Sequence, residues 1–329
     1  MIKDALVTVV IPCFNAERYL AQAIDSALSQ THANIEVLVV DDGSTDGSRD
    51  VIASYGSRIR SHIGPNAGPS RARNTGIDLA RGTFTQFLDA DDLLSPTKVE
   101  ACLQAAPEAP SLAFSRLTRF SDEPSATPSR LTQRFARLFR THPPQWGSVS
   151  QLEYILRTAV QTSVILHRTD LLRRVGGFRT DIKHLEDTDL ALRLTLSGVE
   201  FRLVDEALVM LRDHRSPQRL RHASTGAMHS YRAAIGMFEH VVQAQALTPP
   251  IQQAFADRFA NYGRKLYWQG HVAEADEAFR RAMQLSRRPA PTGVPLYNLA
   301  AQTFGLAPTE RVVRAAWSIS HRAGRRRAT

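Results

Sequence analysis

Cysteine is nearly absent: Cys13 and Cys102 are the two in 329 residues. No disulfide framework is implied, and a reducing, cytoplasmic compartment is the expectation. Long apolar runs are missing as well. No stretch approaches 18 uninterrupted apolar residues, so nothing is expected to span a bilayer. The first residues, Met1-Ile2-Lys3-Asp4, lead straight into a strand and lack a signal-peptide pattern. Nor does a GxGxxG follow the first apolar strand, where Pro12-Cys13-Phe14-Asn15 stand instead, which argues against a dinucleotide site of the dehydrogenase type. Acidic residues are scarce in the last third. Residues 216–329 carry 16 Lys and Arg against 6 Asp and Glu, whereas residues 1–215 carry 25 against 26, so all of the +9 net charge lies C-terminally. That asymmetry argues against nucleic acid as a partner of the first part.

What is present begins with buried strands. Leu6 to Ile11 and Ile35 to Val40 are near-continuous apolar runs of the kind that fill a parallel sheet covered on both faces. Between them Leu20, Ile24 and Leu28 recur at spacing four, one apolar stripe of a helix that Asn15 is placed to cap. The second strand ends in Asp41-Asp42-Gly43-Ser44-Thr45-Asp46. A carboxylate there can accept from a base N–H or a ribose hydroxyl, or it can simply cap the next helix. Strand, helix, strand, acidic turn, helix is the order of a nucleotide-binding half-sheet.

The segment Asn66 to Ile77 follows, with a Gly68-Pro69 turn, Ser70 as a cap, and small residues Ala72 and Gly76 that let its helix approach the sheet. Arg71 and Arg73 fall in the first turn, where backbone N–H groups also favour anions, and either can reach a diphosphate. Thr83 to Leu88 is then a buried strand running into Asp89-Ala90-Asp91-Asp92, with Ser95 and Pro96 expected to open the next helix. Two aspartates one residue apart at a strand's carboxyl end can share a hard cation such as Mg²⁺ with phosphate oxygens, or form a solvated acidic turn.

Taken together, Val9 to Asn15, Val39 to Asp46, Asn66 to Ile77 and Phe87 to Asp92 resemble, in order and spacing, the catalytic domain of glycosyltransferase family 2. The resemblance implies an α/β, GT-A-like nucleotide-binding domain with a mixed, mostly parallel central sheet flanked by helices. It places Pro12 and Asp42 against the nucleotide base, with Asn15 in the same binding set. Asp89 and Asp91 serve the metal and diphosphate, Asp92 is a further contributor, and Arg73 belongs to the donor side. Further on, Val175-Gly176-Gly177-Phe178 and Glu186-Asp187-Thr188-Asp189-Leu190 are similar to the family's Gly-Gly-Phe and Glu-Asp-x-Asp-Leu pattern. That similarity assigns the general base to Glu186 or Asp187, with Asp187 favoured. Helical spacing puts Glu186 and Asp189 on one face and Asp187 elsewhere. Arg212-Asp213-His214-Arg215-Ser216 resembles the family's closing Arg-x-His-x-x-Ser, with the serine one position early. It makes Arg212 a candidate phosphate contact and His214 a candidate metal ligand.

Residues 107–150 vary most in the family and receive no role, although Trp146 can stack on a sugar or pack on the surface. The domains expected are a catalytic one over 1–218 and an all-helical C-terminal extension over 219–329. In the extension, Ala260 to Leu285 resembles a single tetratricopeptide-type helix pair. A basic amphipathic end, with Arg311, Arg314, Arg322 and Arg325 to Arg327, suits an anionic membrane surface, a solvated tail or a docking helix.

The activity this implies is an inverting, metal-dependent glycosyltransferase of hexosyltransferase type. It would use Mn²⁺ or Mg²⁺ and a nucleoside-diphosphate sugar, UDP-linked by preference, to glycosylate a glycan, lipid-linked or protein-linked acceptor in cell-envelope polysaccharide synthesis. Its expected place is the cytoplasm or the periphery of the membrane's inner face. The alternatives are a nucleotidyltransferase and a catalytically inactive nucleotide-sugar binding module.

Overall fold

The computed structural model describes residues 4–121, 145–158, 160–213, 226–287 and 295–325. The chain divides into two compact units, residues 1–125 with 159–216 and residues 126–158 with 217–329. The sequence reading set the boundary at 218 and kept residues 126–158 in the catalytic domain.

The first unit is built on one eight-stranded sheet. Its parallel part consists of β1 (Val7–Cys13), β2 (Ile35–Asp42), β3 (Arg60–Gly64) and β4 (Phe84–Phe87), in the order β3-β2-β1-β4. The sheet continues through β7 (Ile165–Arg168), β6 (Ser111–Phe120), β8 (Glu200–Arg212) and the two-residue β5 (Leu93–Leu94). In that part β6 and β8 are parallel, while β4–β7, β6–β7 and β5–β8 are antiparallel, so the sheet is mixed and mostly parallel, as expected. β8 is one 13-residue strand, with register shifts against β6 around Arg116.

Flanking helices explain the apolar runs within β1 and β2. In α1 (Glu17–Leu28), Leu20, Ala23, Ile24 and Ala27 are buried, but Leu28 stays 36% exposed. In α2 (Ser48–Ser54) Ile52 is buried. The next helix, α3 (Pro69–Leu79), lies so close to β1 that a Cβ on Gly76 would come within 2.3 Å of Val10 Cγ1. On the other side, α4 (Lys98–Ala105) adds Val99, Cys102 and Leu103 to a cluster with Val7, Phe84 and Leu166.

Helix starts differ from the sequence expectation: one expected cap is engaged elsewhere through its side chain, one through its backbone, and one lies inside the helix. Ala16 caps α1, and Asn15, at φ 50°, accepts the Thr45 N–H on its Oδ1 at 2.8 Å. Gly68 rather than Ser70 precedes α3, and Thr97 rather than Ser95 precedes α4, the Ser95 N–H being bonded to Leu208 O.

The second unit is helical among its described residues. It contains α5 (Gln151–Arg157), capped by Ser150, and, after the first unit's α6 (Thr169–Arg174) and α7 (Glu186–Leu196), α8 (Gly226–Gln243) to α12. An antiparallel-type pair, α9 (Pro249–Gln269) and α10 (Val272–Leu285), turns at Gly270, whose φ of 91° suits glycine. Arg157 joins α5 to α9 through Asp257 at 2.9 Å. Next come α11 (Pro295–Phe304) and α12 (Leu306–Arg325), tied in by Arg264, whose Nε donates to Tyr297 and Glu310. Trp146 packs edge-on to Tyr154, with ring centroids 4.9 Å apart.

Candidate functional site

The acidic turns sit where the parallel strands end, at the point where the order β2-β1-β4 changes direction. Backbone groups at strand ends of this kind lack ladder partners, and ligands bind there. Asp42 closes β2. Its two oxygens accept the Ala67 and Gly68 N–H groups at 2.7 and 2.9 Å, so it anchors the turn that leads into α3. Each oxygen keeps a second lone pair for another donor. Pro12, half-buried, lies beside Val40 on β1. Asp41 is fully buried against the Ser44 N–H and Arg49.

After β4 the chain turns through Asp89 to Asp92. The Asp92 N–H donates to Asp89 O, and the buried Asp92 carboxylate accepts the Arg212 N–H at 2.8 Å. Asp89 is 42% exposed, and its Oδ1 accepts from Arg73 Nη2 at 2.8 Å. Asp91 is half-buried, and its carbonyl accepts from Arg212 Nε at 3.0 Å.

Arg212 itself is 1% exposed. It lies between the Tyr19 and Phe120 rings, 4.6 and 4.5 Å from their centroids, and bonds Gln22 at 2.6 Å. This differs from the phosphate-facing place expected for it: a guanidinium so enclosed braces the acidic turn from beneath. His214 lies outside the described residues.

The other wall is the start of α7. Gly176 and Gly177 take φ of 79° and 63°, and Asn74 of α3 clamps the loop by donating to Phe178 O at 2.8 Å and accepting its N–H at 2.7 Å. Leu185, immediately before α7, has φ 65°, a strained value for a side-chain-bearing residue and one that recurs at functional sites.

Helical spacing alone misassigned the faces of α7. Asp189 is the fully buried one, paired with Arg193 at 2.8 Å, and Arg193 in turn bonds Val175 O and Gly177 O. Glu186 and Asp187 instead share the pocket of Arg73, which donates to Glu186 at 3.3 Å. Burial, and then the Glu186 charge, push the Asp187 carboxyl up to about 7, while Arg73 and the Thr162 backbone N–H pull it down. Its Oδ1 is shielded from solvent and has no hydrogen-bond partner among the described residues. Burial opposes the charge of Arg73, but Asp89, Asp187 and Glu186 outweigh it and raise its pKa further.

Chemically, the pocket offers a carboxylate near neutral proton affinity beside a half-exposed acidic turn. Among the described residues no three His, Cys, Asp or Glu side chains form a closed metal cage. Asp89 and Asp91 present hard oxygens on a solvent-reaching turn, a donor set that fits Mg²⁺ or Mn²⁺ completed by substrate oxygens. The sequence reading missed Thr162, Asn74 and Phe178 as supports. Asn74 lies in the segment already singled out, but the glycine loop it clamps is 104 residues away.

The Glycosyl transferase family 2 model matches residues 8–167. An uncharacterised glycosyltransferase of Rickettsia typhi is 30% identical over 214 residues, which are 64% of each chain, so this chain matches less than two thirds of that relative's length. Among solved structures, S. aureus TarS 1–349 superposes with a TM-score of 0.63 at 18% identity, covering 94% of this chain and 92% of that one. The same TarS fragment in complex with UDP-GlcNAc gives 0.57 at 16% identity, with the same coverage. A Pyrobaculum calidifontis mannosyltransferase in complex with GDP-Man and Mn²⁺ gives 0.54 at 18%, covering 94% and 86%.

Proposed function

From the membership of this chain in glycosyltransferase family 2, with its GT-A-like fold, we propose that it is an inverting, divalent-metal-dependent glycosyltransferase transferring a hexose from a nucleoside-diphosphate sugar to an acceptor hydroxyl. The observation that carries the reading is the Asp187 carboxyl: desolvated, with a bare Oδ1, and held at about 7 beside the acidic turn. A general base works best with a pKa near the operating pH.

In this reading Pro12 and Asp42 line the base end of the donor site, and Asp89 and Asp91 face its diphosphate. Asp187 Oδ1 receives the acceptor hydroxyl's proton as that oxygen attacks the anomeric carbon from the side opposite the leaving diphosphate. Glu186 keeps the Asp187 proton affinity high, and Thr162 orients the carboxylate through its N–H. A divalent cation bound by Asp91 and Asp89 would supply Lewis-acid neutralisation of the leaving diphosphate. UDP is the preferred nucleotide, in keeping with the UDP-GlcNAc complex of the similar TarS. Acceptors are glycans, free or attached to lipid or protein, of the cell envelope.

Calorimetry with UDP- and GDP-sugars, with and without Mn²⁺, tests the reading. Metal-dependent binding of one such donor and release of its nucleoside diphosphate on turnover are expected. Binding of none, or release of pyrophosphate from a nucleoside triphosphate, would overturn it.

The helical unit suggests where the reaction takes place. No helix among the described residues is long and apolar enough to cross a membrane. Leu299, Phe304 and Val312, on α11 and α12, are nevertheless 61%, 70% and 69% exposed, and Arg311, beside Val312 in sequence, is exposed as well. Apolar side chains beside arginines favour an anionic bilayer surface. Arg314 is less available for this, since it donates to Tyr267 O at 2.7 Å. The full chain is expected to cosediment with phosphatidylglycerol-containing vesicles, and to do so less after removal of residues 311–329. Equal cosedimentation of both forms would reject the surface.

A further inference from the structure

Arg73 is 6% exposed and divides its guanidinium between two carboxylates from opposite walls of the site, Asp89 through Nη2 and Glu186 through Nη1. The third acid, Asp187, acts on it through space. Its Nε is buried with no hydrogen-bond partner among the described residues, and the guanidinium lies over the Phe178 ring, 5.4 Å from the centroid. That ring belongs to the loop which Asn74 clamps to α3, so the arginine is held from below as well as from both sides.

Such an arrangement fits poorly with a direct phosphate contact. To reach a diphosphate, Arg73 would have to give up both carboxylates and leave three acids facing one another. The pocket holds three carboxylates around one guanidinium, and it is a cation, not an anion, that such a pocket draws in. A cation approaching Asp89 competes with Arg73 for that carboxylate, and the charge Arg73 withdraws from Asp89 remains beside Glu186 and Asp187.

We propose that Arg73 is a positioning residue that couples the donor half of the site to the acceptor half, passing from Asp89 to Glu186 and Asp187 when a divalent cation arrives with the donor. The inference rests on the glycosyltransferase reading. By linkage, the support that cation binding at Asp89 lends to the ionised base through Arg73 equals the support that ionisation of the base lends to cation binding, so the base is set in the donor complex.

The test measures Mn²⁺ uptake by the full chain in saturating UDP, from loss of the free-Mn²⁺ electron paramagnetic signal, together with steady-state kinetics. Arg73→Gln removes the competitor for Asp89. It is expected to bind Mn²⁺ about fivefold or more tightly, while kcat falls at least about tenfold and KM for the donor changes little. Arg73→Lys keeps the charge but cannot bridge two acids at once. It should hold Mn²⁺ with near wild-type affinity and still lose kcat.

Weaker Mn²⁺ or UDP binding in the glutamine variant would make Arg73 a plain diphosphate ligand and overturn the coupling. Wild-type kcat in the lysine variant would overturn it too, and this arm stands even if the glutamine variant does not fold. No Mn²⁺ uptake by the wild-type chain would overturn both the coupling and the metal-dependent reading beneath it. Uptake by wild type with the variant pattern absent would overturn the coupling alone.

Discussion

Asp187→Asn is expected to lower kcat by about 10²- to 10⁴-fold while leaving donor affinity nearly unchanged. Asparagine keeps the size of the side chain and its contact with the Thr162 N–H, but it cannot take a proton. The pH dependence identifies the group. With the carboxyl at about 7 in the free protein, the wild-type base is ionised only above that value, so kcat/KM should climb as pH rises through about 7 and then level off. In the variant this limb should vanish from what activity remains.

Stability runs the other way. The folded-state value lies above the ~3.9 of an unfolded aspartate, so the folded protein holds this proton more tightly. That contribution is complete below about 4 and is lost as pH rises through about 7. At pH 8 the wild-type chain therefore carries an unfavourable buried charge that asparagine removes, and the variant should melt at or above the wild-type temperature. Unchanged kcat, or a variant that melts well below wild type at pH 8, would reject Asp187 as the base.

Removal of divalent metal is expected to abolish nucleotide-sugar turnover, and added Mn²⁺ should restore it. Asp91→Asn should imitate chelation even with excess metal, by a factor of at least about 10². In the proposed reaction the leaving diphosphate accumulates negative charge beside a turn that already carries Asp89, Asp91 and Asp92, while the enclosed Arg212 is committed to Gln22 and the turn's own backbone. Without a cation that charge would meet repulsion. Full activity in excess EDTA would remove Asp89 and Asp91 from the metal role.

The parts of this architecture with local causes could be read in advance. The apolar runs of β1 and β2, the small residues on the sheet-facing side of α3, the glycine turn before Phe178 and the acidic ends of β2 and β4 each follow from nearest neighbours in sequence. The fates of charged side chains did not. Arg73 and Arg212 both read as candidate phosphate contacts. What buries them is a set of partners 113 and 121 residues away, and nothing in the local pattern announces them. The same holds for α7. Its spacing grouped Glu186 with Asp189, yet Arg193 draws Asp189 inward and leaves Glu186 and Asp187 to the pocket. Caps failed for a related reason, since Asn15 and Ser95 satisfy groups on other segments.

The two-residue strand β5 has a consequence for how the protein is made. Leu93 and Leu94 pair with Met210 and Val209, and Asp92 is fastened by the Arg212 amide, 120 residues downstream. A chain still emerging from the ribosome therefore carries every aspartate of the first acidic loops long before it can shape them. Long-range closure of this kind is slow. A truncation ending ahead of residue 209 would keep the motif's letters and lose its geometry, so nascent chains should acquire nucleotide affinity late and abruptly.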